Sequence, residues 1–200
     1  MHSSTRTLIL TDNRINHMRT FITCIHTVLA PTSVFSPQSG DELRRAVDDC
    51  LSHSSVGDCS AGPHGPIGEW DVSRVTDMTG IFYGLISFNQ DLSKWDVSRV
   101  TNMRAMFNQA QSFNQDLSKW DVSRVTSMTL MFSHATSFNR SLSDWDVSHV
   151  TDMQQMFADA DSFQQTLCGA AWVNSNASKT DMFSNSPGSI AETVCGGWVY

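Results

Sequence analysis

The chain has 200 residues, 40% of them hydrophobic, and a formal net charge of −7. That length fits one domain, or one domain plus a tail. The acidic balance excludes a nucleic-acid-binding face built to neutralise phosphates, and no apolar run reaches the 18–20 residues that a bilayer-spanning helix needs.

The N-terminal part, residues 1–35, reads as a leader or an unstructured segment. Phe21 to Ala30 form an apolar stretch behind Arg6, Arg14 and Arg19, as in a secretory signal, but His26 and Asp12 dilute the pattern. Both readings stand. A solenoid with caps is expected over 36–200, divided into 36–66, 67–163 and 164–200. Its first element is an amphipathic helix over 40–52. Ser39 and Glu42 form a capping box. Leu43, Ala46, Val47, Cys50 and Leu51 then share one face. Gly57 to Gly68, with Pro63 and Pro66, reads as a loop.

Four blocks beginning Trp-Asp-Val-Ser then start at Trp70, Trp95, Trp120 and Trp145, 25 residues apart. A period in this range marks a stacked repeat. Seven apolar columns recur, headed by Phe88, Leu92, Trp70, Val72, Val75, Met78 and Phe82, and each is expected in the core. Within a unit, Trp120 and Val122 alternate with polar residues like a strand. Val125, Met128, Met131, Phe132 and Ala135 step by three and four like a short helix or 3₁₀ turn. The expected fold class is therefore α/β, a right-handed leucine-rich-repeat-like solenoid of about five 25-residue coils. Each coil carries one short parallel strand and one short helix or 3₁₀ turn. An N-terminal helix and an irregular C-terminal cap close the ends. After Phe163 the pattern decays, and Trp172 falls two residues late.

The run from Phe113 to Phe132, Phe-Asn-Gln-Asp-Leu-Ser-Lys-Trp-Asp-Val-Ser-Arg-Val-Thr-Ser-Met-Thr-Leu-Met-Phe, resembles the BspA-type leucine-rich-repeat family. That family is also known from mycoplasma surface lipoproteins of unassigned function. The flanking Leu43–Cys50, Gly65–Trp70 and Ser186–Ile190 resemble the versions carried by algae and protists. The resemblance implies a surface-associated interaction module and supplies no catalytic residues.

Several residues invite a chemical reading. Asp71, Asp96, Asp121 and Asp146 form a column that could hold calcium between coils. The readings that need no ion, pairing with Arg74, Arg99 and Arg124 or accepting backbone N–H bonds at a corner, are preferred to it. Asn89, Asn114, Asn139 and Gln164 read as an amide ladder. Gln90, Gln115, Arg140 and Gln165, at positions that vary between coils, are the candidate interaction face. Cys50, Cys59, Cys168 and Cys195 are candidate disulfide partners, an even set once a leader containing Cys24 is removed. Asn176 is the candidate glycosylation site, since Asn139 belongs to the ladder. No catalytic residue, cofactor or required metal is expected.

The functional expectation is a secreted or cell-surface, non-catalytic interaction or adhesion module for a protein or glycan. The alternatives are a calcium-stabilised structural module and an enzyme with its site in 53–68 or 164–200.

Overall fold

The computed structural model describes residues 34–54, 56–60 and 62–196. The expected leader falls outside these apart from its last two residues, and Cys24 lies outside them too. Helix α1 spans Gly40–His53. Ser39 Oγ accepts the Glu42 N–H, the first half of the capping box, and Glu42 reaches back one residue beyond the cap, to the Gln38 N–H at 2.8 Å. Leu43, Ala46, Val47 and Cys50 are its buried face. A 3₁₀ turn follows at Ile67–Glu69. Near the other end come strand β1 (Thr166–Leu167), helix α2 (Ala170–Val173) and strand β2 (Ser189–Ile190), the two strands pairing in parallel.

The leucine-rich-repeat-like α/β solenoid is thus not what forms. Among the described residues regular structure amounts to two α-helices, one 3₁₀ turn and two two-residue strands. Between residues 70 and 163 no repeat carries a strand or a helix, and the chain there is turns, isolated bridges and irregular backbone. The error has a physical origin in the Met-Phe segment, where three-four spacing suggested a helix. Met131, Ser133 and Ala135 donate to Met128, Leu130 and Phe132, closing tight i→i−3 turns. The N–H groups between them do not bond within the segment. Met128, Leu130, Phe132 and His134 donate instead to Asp152, Gln154, Met156 and Ala158, at 2.8–2.9 Å. Leu130 (φ 61°) and His134 (φ 56°) adopt left-handed backbone, which stops an α-helix from propagating. Apolar side chains still recur every three or four residues, because the turns are tight.

The 25-residue period survives as a hydrogen-bond register. Parallel bridges join Asp77 to Asn102, Asn102 to Ser127, Ser127 to Asp152, and Asp152 to Ser178. All seven apolar columns are buried, no member being more than 4% exposed. Phe88, Phe113, Phe138 and Phe163 stack with ring centroids 5.9–6.1 Å apart. Phe82, Phe107, Phe132 and Phe157 stack at 5.2–5.6 Å. Burying a phenyl ring is worth about 1.5–3 kcal/mol, and the stacked geometry adds to it.

Trp172 joins its column despite the shifted sequence. The indoles of Trp95, Trp120 and Trp145 each donate to a carbonyl 28 residues back, at Ile67, Leu92 and Leu117. Trp172 donates to Leu142, 30 residues back, at 2.7 Å. Helix α2 absorbs the two extra residues.

Candidate functional site

The surface is built from what the columns leave over. The segments from Asp91 to Trp95 and from Asp116 to Trp120 each bury their second and fifth positions and leave the others toward solvent. Leu and Trp enter the core; Asp and Lys face solvent. Asp91 Oδ1 accepts the Ser93 N–H at 2.8 Å and Asp116 Oδ1 the Ser118 N–H at 2.9 Å. Each is an Asx turn that fixes the loop without outside help. The serines hold both carboxyls below the ordinary carboxylate range, through their backbone N–H and then their hydroxyl. Lys94 Nζ lies 2.5 Å from Glu69 Oε1, a contact that holds the ammonium above its usual range. Both side chains are more than half exposed, so the pair adds little stability.

Between these loops lies an open hollow of about 460 Å³ lined by Asp91, Lys94, Gln115, Asp116, Lys119 and Trp120. Two smaller hollows, of about 250 and 260 Å³, adjoin Lys94 on the side of Glu69. The column crossing them reads Glu69, Lys94, Lys119, Asp144. Its charge reverses at both ends of the column.

The residues singled out from sequence are placed as follows. Gln90 Nε2 donates to Val56 O, Gln115 Nε2 to Asn89 O, Arg140 Nε to Asn114 O, and Gln165 Nε2 to Asn139 Oδ1. These side chains clip one unit to another, although Gln90 and Gln115 also line the hollows. The amide ladder is present. Asn89, Asn114 and Asn139 each accept, through Oδ1, the N–H of the residue 25 further on, at 2.9–3.0 Å.

Asp71, Asp96, Asp121 and Asp146 each accept the N–H of the serine two residues on, at 3.0–3.1 Å. For Asp71, Asp121 and Asp146 the serine hydroxyl, then its N–H, holds the carboxyl below the ordinary range. Like-charge repulsion from Asp146 opposes this at Asp121. The carboxylates therefore have a structural use. Among the described residues no group of three or more His, Cys, Asp or Glu is placed to hold a metal ion.

Disulfides join Cys50 to Cys59 and Cys168 to Cys195, with Cα atoms 5.0 and 5.1 Å apart. The first ties α1 to the loop that follows it; the second ties the end of β1 to the tail after β2. Asn176 is exposed and Asn139 half-buried.

Sequence reasoning missed Lys94 and Lys119 as surface determinants. Their signal was available, since their column is the one whose charge reverses at both ends.

Residues 53–172, more than half of the chain, match a family described as Mycoplasma protein of unknown function, DUF285. The chain belongs to this DUF285 family. The matched span contains the hollows, the aspartate column and all four Trp-Asp-Val-Ser blocks. No curated protein and no solved structure matches the chain. Among the described residues of this DUF285 protein, no helix is long and apolar enough to cross a membrane.

Proposed function

We propose that this protein is a non-catalytic interaction module, secreted or displayed at a cell surface, that binds a protein or glycan through the polar face around Lys94 and Lys119. One observation carries the reading. The repeat spends its apolar columns on the interior and its amide column on bonds between units, and the position that changes sign across the exposed face, Glu69–Lys94–Lys119–Asp144, borders the hollows at Glu69, Lys94 and Lys119. Fixed loops carrying variable charge suit recognition, because complementary charge sets specificity and encounter rate.

The two disulfides support an oxidising compartment. The BspA-type resemblance of the repeat supports surface placement. His134 and Asp159, 3.6 Å apart, make a structural pair, since Asn185 also holds Asp159 and the neighbouring Ser133 is buried.

The test is binding of the purified chain to a glycan array and to surface proteins of the source cell, beside the double variant Lys94→Glu, Lys119→Glu. The reading predicts saturable binding that the double variant loses while its melting temperature stays within about 2 °C. Binding indifferent to this charge reversal, or none at all, would sink it.

A further inference from the structure

In the centre of each Met-Phe segment the hydrogen bonds to the next unit run one way, while at its ends N–H groups such as those of Thr126 and Ser137 reach back to Thr101 O and Gln111 O. Met103, Ala105, Phe107 and Gln109 donate N–H groups forward to Ser127, Thr129, Met131 and Ser133. Met153, Gln155, Phe157 and Asp159 donate forward to Ser178, Thr180, Met182 and Ser184. Each of these segments offers a row of N–H groups on one side and a row of carbonyls on the other. An ordinary β-ladder would mix donors and acceptors on each edge. The set therefore has a carbonyl edge and an N–H edge.

The carbonyl edge is covered at its start. The Arg44 guanidinium donates to Thr79 O, on this edge, and at 2.8 Å to the neighbouring Gly80 O. Gly40 packs so closely on Asp77 O that a Cβ there would collide with it. Helix α1 thus lies over the first segment and places a cation on its carbonyls.

The N–H edge is open. Lys179, Asp181, Phe183 and Asn185 follow the same two-residue spacing as the inner donors, and among the described residues their N–H groups meet no acceptor. Phe183 ends an aromatic column. Its ring stacks on Phe157 at 5.5 Å, but it is only partly buried, whereas Phe132 and Phe157 are fully buried.

We propose that this edge docks an extended segment from another chain carrying the same Met-x-x-Met-Phe sequence. Such a segment supplies a row of carbonyls for the four N–H groups and a phenyl ring for Phe183. The choice of occupant rests on complementarity and continuity, because three of the four inner edges of this type are filled by a Met-x-x-Met-Phe segment and the fourth by its near copy Lys179–Phe183. A second folded copy fits poorly: two N–H edges would face donor to donor, and α1 obstructs the start of the carbonyl edge. The mode is edge addition, in which backbone bonds give affinity and side-chain pockets give specificity. It is separate from the Lys94 face and does not depend on the function proposed there.

The probe is a synthetic peptide copying residues 126–137, whose carbonyls at Ser127, Thr129, Met131 and Ser133 accept from the preceding segment in the intact protein. Site-resolved amide exchange on the full chain reads the result. The amides of Lys179, Asp181, Phe183 and Asn185 should exchange fast alone and about tenfold or more slowly with peptide. A scrambled peptide should leave them fast. Lys179→Pro removes one edge donor and no internal backbone bond, so it should weaken the protection; if that variant fails to fold, exchange on the unaltered chain still decides. No slowing at millimolar peptide would overturn the proposal, as would slow exchange in the dilute chain without peptide. Protection that grows with protein concentration alone would also overturn it, assigning the edge to a second copy.

Discussion

The two halves of each repeat are held by different means. The half running from Thr126 to Ser137 bonds its backbone to the neighbouring units, with N–H groups at 128, 130, 132 and 134 reaching forward. In the half from Asn114 to Val125, the backbone N–H groups at Trp120 and Val125 bond only locally, to Leu117 and Val122. Side chains make its links between units: the Trp120 indole to Leu92 O, the Gln115 amide to Asn89 O and the Asn114 N–H to Asn89 Oδ1. Both halves bury their apolar columns equally well. A half tied by backbone resists change in its chain path yet tolerates varied side chains at 129, 130, 133 and 134. A half tied by side chains must keep Trp and Asn, and it leaves the intervening charged positions free. That freedom is what makes the Lys94 and Lys119 face usable.

Truncating a shared core column should give the largest effect. Phe132 is fully buried and touches the rings of Phe107, Phe138 and Phe157. Phe132→Ala should cost about 3–5 kcal/mol in urea denaturation. A loss under 1 kcal/mol would break the claim that both halves share one core.

Trp120→Phe tests the side-chain half alone. It keeps an aromatic ring and removes the indole N–H, leaving Leu92 O with only the Trp95 N–H as donor. The expected loss is about 0.5–1.5 kcal/mol. A neutral result would mean the indole bonds do not hold that half.

The backbone half is sharpened by a pair of alanine variants. Ala105 sits at φ 52°, a left-handed position that costs an L-residue about 1–2 kcal/mol. Ala105→Gly should therefore be neutral or stabilising by about 0.5 kcal/mol, whereas Ala110→Gly, fully buried and outside the positive-φ set, should cost about 1 kcal/mol. Equal effects would refute the assigned backbone path.

The smallest effect is the acid response of the exposed Asx turns. Asp71, Asp91, Asp116, Asp121 and Asp146 all sit below the ordinary carboxylate range when folded. A lowered folded pKa means the stabilisation is complete above the unfolded value of about 3.9. It is lost as pH falls through the lower folded value. The melting temperature should hold between pH 5 and 7 and decline below about pH 4. A rise in stability on acidification would contradict the turn assignment.

Much of the interior was legible because burial repeats. A position kept Trp, Phe, Met or Val at every 25th residue has to face other copies of itself, and all seven columns do. The capping box also carried enough information to place α1 to within a residue. The backbone of the Met-Phe segment was not legible. Tight i→i−3 turns and a helix share the same apolar spacing, and Leu130, His134, Gln155 and Asp159 adopt left-handed φ without being glycine. One clue did exist: the first unit places Gly80 and Gly84, both at positive φ, 25 residues before Ala105 and Gln109. Alternation shows which side chains leave the core, but not which of them also bond to the next unit, as Gln90, Gln115, Arg140 and Gln165 do. The hollows depend on gaps between loops, which no single column reports.

The most direct test of the 25-residue register is the through-hydrogen-bond NMR coupling from the Phe132 N–H. A coupling to the carbonyl of Met156, its acceptor at 2.8 Å, is the predicted result. A coupling to the carbonyl of Met128, four residues back as in an α-helix, would contradict the account.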